Sequence, residues 1–189
     1  MKVCILFLII SCLVSCSHSP INADLEQTIR NMIVEIPLDS MEILSPKNGD
    51  SHDVNSVEVP DYRYYIIYDS INCTICSLRK MGIWNSIIKR TIETGINVDF
   101  IFIMMANPDN VQLLKRAYYS ERINLKIYID TIGVVKRHFP LINKSLFYSA
   151  FVLNKENRIE VIGNASKDYD IESRFYKFLN KKRIDSMQK

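Results

Sequence analysis

Three short runs of β-branched and aromatic residues, separated by stretches with helical spacing, constrain the fold of this chain more than any other feature. The runs are YYIIYD at 64–69, VDFIFIMM at 98–105 and LKIYID at 125–130. Each run predicts a buried strand. Helices are predicted over 74–93, from Asn107-Pro108-Asp109 to Tyr119, and over 131–139. Strands that alternate with helices indicate βαβ crossovers and parallel strand pairs.

The C-terminal part of the chain predicts a hairpin and a closing helix. SLFYSAFVLN (145–154) and RIEVIGN (158–164) are predicted strands joined by Lys155-Glu156-Asn157, and a helix is predicted over 168–182. Such a hairpin adds an antiparallel edge to the sheet. We therefore expect an α/β fold in which helices cover both faces of a mixed sheet.

The residues before the first of these strands carry weaker patterns. A short helix is predicted over 24–32, short strands over Met32–Ile36 and Met41–Leu44, and an irregular surface loop over 45–63. The whole chain of 189 residues is 48% hydrophobic and 24% charged, with a net charge of +3. This composition is that of a globular protein and argues against disorder. Because acidic and basic residues are interspersed, no nucleic-acid partner is expected.

The N-terminal sequence MKVCILFLIISCLVSC has the pattern of an export signal, with Lys2 followed by an apolar run that is too short to span a bilayer. Leu13-Val14-Ser15-Cys16 resembles the bacterial lipobox, which implies cleavage after residue 15 and lipid on Cys16. We then expect a tether over 16–23 and attachment to a membrane in the cell envelope. Ser17 favours the outer membrane, facing the periplasm. The alternatives are ordinary secretion and an uncut membrane anchor.

The cysteines then divide into two groups. Cys4 and Cys12 leave with the signal and Cys16 carries lipid, so Cys73 and Cys76 remain as thiols. They lie outside the cytosol, where disulfides persist.

Three interpretations of this CxxC pair are open. Zinc sites usually need four ligands, and here a single pair accompanies scattered histidines, so no metal site is predicted. A structural disulfide across so short a loop would remove little chain entropy. The third interpretation is a redox pair, and the position of the two cysteines favours it.

The pair follows a predicted strand and opens a predicted helix. Unpaired backbone N–H groups and the helix dipole at that point favour the thiolate of Cys73 and lower its pKa. Cys76, one turn later, is predicted to lie deeper and to attack a mixed disulfide formed at Cys73.

Residues 62–180 resemble the thioredoxin superfamily. YYIIYDSINCTICSLRKMGIW, with the later FVLNKENRIEVIGN, is similar to exported lipoproteins of the Bacteroides type that carry a single CxxC. The resemblance implies a thioredoxin-like three-layer α/β/α sandwich with an inserted helix–strand unit, and thiol–disulfide activity. It divides the chain into an N-terminal extension (24–61), a thioredoxin-like domain (62–182) and a tail (183–189).

Several positions depart from the thioredoxin pattern. Tyr148, followed by Ser149, stands where thioredoxins place a cis-proline that helps to bind substrate backbone. Ile67 stands where they place a buried aspartate, so Asp69 is the candidate proton acceptor for Cys76. Asn72 replaces a tryptophan that often precedes the first cysteine.

The residues between and after the two cysteines complete the predicted site. The dipeptide between them is Thr74-Ile75, which lacks the proline or histidine of better-known members. Trp84, in the following helix, is predicted to be a core anchor.

The sequence therefore supports two main functional hypotheses. The first is a membrane-anchored thiol–disulfide oxidoreductase, with Cys73 as nucleophile and Cys76 as resolving cysteine, that needs no cofactor. It would exchange with protein thiols or disulfides and with an electron-donor or electron-acceptor protein. The second is a non-catalytic lipoprotein with a structural Cys73–Cys76 disulfide that acts as a binding or accessory module. A peroxidase ranks last, because IIYDSINC (66–73) lacks the Pro-x-x-x-Thr-x-x-Cys pattern.

Overall fold

The computed structural model of the chain describes residue 29 and residues 32–46, 59–69 and 74–188. This part of the chain forms a six-stranded sheet. Its strands are β1 (Glu42–Leu44), β2 (Tyr62–Tyr68), β3 (Val98–Met105), β4 (Ile127–Asp130), β5 (Ala150–Leu153) and β6 (Ile159–Ile162). The strand order is β1-β4-β3-β2-β5-β6. The central strands β2, β3 and β4 are parallel, whereas β1, β5 and β6 pair antiparallel with their neighbours, which confirms the predicted mixed sheet and terminal hairpin.

Helices cover both faces of the sheet. They are α1 (Thr74–Lys80), α2 (Ile83–Ile92), α3 (Val111–Ser120), α4 (Val134–His138) and α5 (Tyr169–Met187). Helices α1, α2, α3 and α5 bury their apolar side chains in one core. The core on the other face contains α4, the 3₁₀ turn Pro140–Asn143 and residues from the segment before β1. The predicted three-layer arrangement is therefore confirmed, and the α3–β4 unit extends the sheet beyond β3.

Strand β2 lies at the centre of the molecule. Residues 64–68 are all buried, and successive side chains enter opposite cores. The Tyr64 hydroxyl donates a hydrogen bond to the Gly163 carbonyl (2.8 Å) and accepts one from the Ala165 N–H (3.0 Å). Burial raises the pKa of Tyr64 well above its ordinary range, so the hydroxyl keeps its proton. These two bonds fix the turn after β6 against the middle of the sheet.

The sequence predicts one helix over 74–93, but the structure has two helices there, separated at Met81 and Gly82. The prediction of a single continuous helix was wrong. The N–H of Met81 bonds to the Leu78 carbonyl, and that of Trp84 to the Met81 carbonyl, as in a 3₁₀ turn. The buried residues 78, 81, 84 and 87 recur every three positions. In one continuous α-helix such a set would rotate away from the core by about 60° at each step, so the tighter turn keeps all four on the sheet.

The strand predicted over 145–154 is shorter than expected. Residues Leu146–Ser149 form a 3₁₀ turn, and β5 begins only at Ala150. The Ser145 side chain accepts a hydrogen bond from the Phe147 N–H at 3.1 Å and so caps the turn. The turn brings the chain from α4 into antiparallel register with β2, where Ala150 pairs with Ile66.

Residues before β2 belong to the same sheet. Strand β1 pairs with β4 at one edge, so this piece of the predicted N-terminal extension is part of the domain. The strand predicted over Met32–Ile36 is reduced to one bridge between Ile33 and Arg158. Most of the helix predicted over 24–32, and much of the 45–63 loop, lie outside the described residues.

The last helix is longer than predicted. Helix α5 begins after Asp168, whose side chain accepts hydrogen bonds from the N–H groups of Asp170 and Ile171. It continues to Met187, past the predicted end at 182 and into the predicted tail.

The glycines at 163 and 82 provide a matched test of this fold. Gly163 has φ +115°, and an added Cβ would lie 2.4 Å from Ile171 Cδ1. Gly82 has φ −56°, and an added Cβ would meet no heavy atom within 4 Å. Gly163→Ala should lower the free energy of unfolding by at least about 2 kcal/mol, because backbone strain and a steric overlap add. Gly82→Ala should raise the free energy of unfolding by about 0.4–1 kcal/mol.

Urea unfolding followed by the fluorescence of Trp84, the single tryptophan, measures both effects. Equal stabilities for the two variants would contradict the tight contact between the turn after β6 and α5.

Candidate functional site

The CxxC pair follows the central strand in the sequence and spans the start of the first helix of the fold. Strand β2 ends at Tyr68 and α1 begins at Thr74, so Cys73 directly precedes the first helical residue and Cys76 is the third. The carboxyl ends of β2, β3 and β4 meet at this edge of the sheet, where ligands of open α/β sheets generally bind. Cys73 itself lies outside the described residues, as do Asn72 and Cys16. For Thr74 and Ile75 the structure describes the backbone, as the first two residues of α1.

Cys76 is exposed. That it lies deeper than Cys73 stays a prediction, because Cys73 is outside the described residues. Helix α1 buries Leu78 against the first core. Two positions along an α-helix correspond to a rotation of about 200°, which turns Cys76 to the opposite, solvent-facing side. The Cys76 side chain is therefore accessible to solvent.

Two cations share the outer face of α1 with Cys76. Arg79 and Lys80, three and four residues later, are both exposed. The Arg79 Nε atom lies 2.8 Å from a carboxylate oxygen of Glu121, directly after α3. The Arg79 side chain is 66% exposed, so this ion pair contributes little to stability. These two residues form a solvated face of α1.

A buried pair of side chains supports the end of β2. The indole N–H of Trp84 donates a hydrogen bond to the Tyr68 hydroxyl at 2.9 Å, and Trp84 is fully buried among aromatic rings of β2 and β3. Trp84 is therefore the core anchor that the sequence predicts. Burial raises the pKa of Tyr68 to about 12. The Tyr68 hydroxyl keeps its proton at neutral pH and does not serve as a base.

Asp69, the candidate proton acceptor, lies directly after β2 and is half-buried. It lines a pocket of about 280 Å³ together with Met105, Lys136 and residues 142–145. Ile67, at the position of the thioredoxin aspartate, is buried in the second core. Of these two positions, only that of Asp69 brings a carboxylate to this edge of the sheet.

Tyr148 and Ser149, the residues at the cis-proline position of the thioredoxin pattern, are both buried. The Tyr148 side chain belongs to the second core, and its N–H donates a hydrogen bond to the Ser145 carbonyl at 3.1 Å. Within the described ranges no peptide bond is cis. Tyr148 therefore packs inward and uses its backbone donor within the protein.

Two features of this edge were missed at the level of sequence. The Asp130 side chain, buried at the end of β4, accepts hydrogen bonds from the N–H groups of Ile132, Val134 and Val135 and so fixes the start of α4. Lys136 of α4 lines the pocket beside Asp69. The basic run Lys136-Arg137-His138 was the available signal, but only the topology shows that it lies beside the end of β2.

Outside the ranges left undescribed, no group of three or more His, Cys, Asp or Glu residues could hold a metal ion. None of the helices described above has the length and apolar character needed to cross a membrane.

No family model matches the sequence, and no curated protein matches it either. Among solved structures, the chain is similar to the solution structure of a thioredoxin-like protein in the oxidized form. The two share 14% identity, with a TM-score of 0.51, over 81% of this chain and 97% of that one. It is also similar to a domain of a possible thiol-disulfide isomerase from Cytophaga hutchinsonii (16% identity, TM-score 0.42, 66% of this chain and 82% of that one). A third similar structure is StoA from Bacillus subtilis (12% identity, TM-score 0.38, 64% of this chain and 86% of that one).

The first of these likenesses, together with the sheet order, shows a thioredoxin-like fold.

Proposed function

We propose that this protein is a thiol–disulfide oxidoreductase in which Cys73 attacks client sulfurs and Cys76 resolves the mixed disulfide. The observation that carries the proposal is the place of the pair. Cys73 directly precedes the first residue of α1 and Cys76 is the third, in the helix that follows the carboxyl end of the buried central strand β2. A disulfide needed only as a local staple has no reason to occupy this edge, because a loop this short gains little from being closed.

The exchange proceeds in two balanced steps. The Cys73 thiolate attacks one sulfur of a client disulfide, forms a mixed disulfide and releases the other client sulfur as a thiolate. The Cys76 thiolate then attacks the Cys73 sulfur, closes the Cys73–Cys76 disulfide and releases the second client thiolate. The client gains two electrons and, after protonation, two protons, while the pair loses them. The reverse sequence oxidises a client dithiol.

Local electrostatics support this division of roles. Cys73 directly precedes the first residue of α1, and the first N–H groups of an α-helix have no partner within the helix, while its dipole acts mainly within the first turn. A short helix is therefore sufficient to favour a thiolate and to lower the pKa of Cys73. Cys76, which is exposed on the outer face of α1, is open to solvent and needs no rearrangement of the core to react.

The compartment and the partners follow from the N-terminal sequence. In the proposal, the lipid on Cys16 holds the protein on the outer membrane of the cell envelope, where it faces the periplasm. Its partners are protein thiols or disulfides and a second protein that supplies or removes electrons. Cysteine sulfurs carry the whole exchange, so the reaction requires no cofactor.

Substitution of the resolving cysteine tests the roles of the pair. Cys76→Ser should accumulate mixed disulfides with client proteins in cells, because Cys73 still attacks but nothing releases the adduct. Cys73→Ser should form few adducts and lose exchange activity by at least about a hundredfold, because a nucleophile central to the reaction is removed. Non-reducing gels of acid-quenched extracts measure the adducts.

The double variant Cys73→Ser/Cys76→Ser is the matched control for adducts that depend on neither thiol. Adducts that form equally in both single variants would contradict the assignment of roles. Their absence from both would contradict exchange with protein clients.

The lipid anchor has its own test. Cys16→Ser should move the protein from the membrane fraction to the soluble envelope fraction, because several acyl chains each stabilise membrane binding by about 0.8 kcal/mol per buried methylene. Immunoblots of fractionated cells, together with labelling by an alkyne fatty acid, measure this change. Labelling that persists in Cys16→Ser, or an unchanged distribution, would contradict the lipobox assignment.

A further inference from the structure

A small pocket with two lysines lies beside the candidate site. Its walls include Asp69 directly after β2, Met105 at the end of β3, Lys136 of α4, and Lys144 and Ser145 before β5. The volume is about 280 Å³. We call this the basic pocket. It occupies the same edge of the sheet as the CxxC pair, because β2 and β3 are parallel and end together.

The two lysines of the basic pocket outnumber its one carboxylate. Lys136 and Lys144 are exposed, and within the described ranges neither makes an ion pair. By contrast, Lys115 and Lys155 each pair with a carboxylate. The basic pocket thus sets two ammonium groups against the single carboxylate of Asp69.

Asp130, the buried carboxylate at the end of β4, is bonded to the backbone and not to these two lysines. Asp130 accepts hydrogen bonds from three backbone N–H groups at the start of α4, the closest two at 2.9 Å. Its oxygens are therefore directed at the backbone. Arg137 and His138, which are also exposed, follow Lys136 and add to the basic character of α4.

The basic pocket is close enough to the reactive sulfur to contact the same client segment. Asp69 lies four residues before Cys73, and four residues of extended chain span at most about 14 Å. A client peptide whose sulfur reaches Cys73 therefore needs only about four residues to reach the basic pocket. The pocket volume of about 280 Å³ lies near the lower end of the range for small-ligand sites, roughly 300–1,000 Å³, and leaves room for a client side chain.

Tyr148, at the cis-proline position, does not present its side chain to a client, because it is buried. The lysine ammonium groups at this edge are charged donors open to solvent and can recognise a client carboxylate.

We infer that the basic pocket binds an acidic side chain of the client, so that the enzyme prefers cysteines with Asp or Glu within about four residues. This preference among client cysteines rests on the proposed function. Lys136 and Lys144 are specificity-determining residues that take no part in sulfur chemistry. Each ammonium–carboxylate contact is solvent-exposed, so we expect a modest preference that weakens at high salt.

The test uses short synthetic peptides that each contain one cysteine in a mixed disulfide with a chromogenic thiol. Glu, Gln or Lys stands three positions from the cysteine, and the reduced mature protein is the attacking partner. At low ionic strength the Glu peptide should react about three- to tenfold faster than the Gln peptide, and the Lys peptide slowest. Lys136→Gln/Lys144→Gln should abolish this order, so that the three peptides react at similar rates.

The control is Lys89→Gln/Lys181→Gln, which removes the same charge from exposed positions on α2 and α5. It should keep the order of the three peptides, because the effect is local to the basic pocket. Equal rates for the Glu and Gln peptides, or an order that survives in Lys136→Gln/Lys144→Gln, would overturn the inference and leave the exchange reaction itself intact.

A binding measurement separates the inference from the proposed function. Fluorescence anisotropy of labelled, cysteine-free Glu, Gln and Lys peptides on Cys73→Ser/Cys76→Ser reports the basic pocket without any exchange. If the wild type exchanges with no peptide, the proposed function fails. Tighter binding of the Glu peptide, lost in the pocket variant, would still support an acidic-segment site, whereas equal binding of all three would overturn it.

Discussion

The pairing of β2 along both of its edges is the constraint on which the rest of the structure depends. Strand β2 is parallel to β3 over seven residue pairs and antiparallel to β5 over four. Its side chains alternate between two cores, so helices must cover both faces. Because β2 is central, its carboxyl end is held from both sides, and the CxxC pair and Asp69 follow directly. The same pairing with β5 brings residues 144–149 beside that end, which creates the basic pocket.

Much of this architecture could be predicted because local sequence and global fold agree. The run VDFIFIMM predicted β3 at its observed ends, and the two apolar runs around Lys155-Glu156-Asn157 predicted the β5–β6 hairpin. Asn107-Pro108-Asp109 marked the start of the α3 region, where the Asn107 side chain accepts a hydrogen bond from the Asp109 N–H. The position of the CxxC after a strand and at the start of a helix followed from the same patterns.

What could not be predicted depends on tertiary contacts or on turns with little sequence signal. The break before α2 arises because Met81 and Trp84 must both enter one core. The helical spacing of apolar residues over 74–93 gives no sign of this break. The exposure of Cys76 follows from which side of α1 carries Leu78, a choice made by packing. β1 is only three residues long and pairs with β4, more than eighty positions later, which no local pattern encodes. The same is true of Lys136, which reaches the site through topology.

The reduction potential of the mature protein distinguishes an exchanging Cys73–Cys76 pair from a structural disulfide. The protein is equilibrated in glutathione buffers of defined ratio, quenched, and labelled with a thiol reagent that reports Cys73 and Cys76 separately. We expect a midpoint potential of the pair between those of thioredoxin and of strong thiol oxidases, from about −270 to −120 mV. We also expect preferential labelling of Cys73 in the reduced state. A disulfide with a potential below about −300 mV would behave as a structural bridge and would contradict exchange.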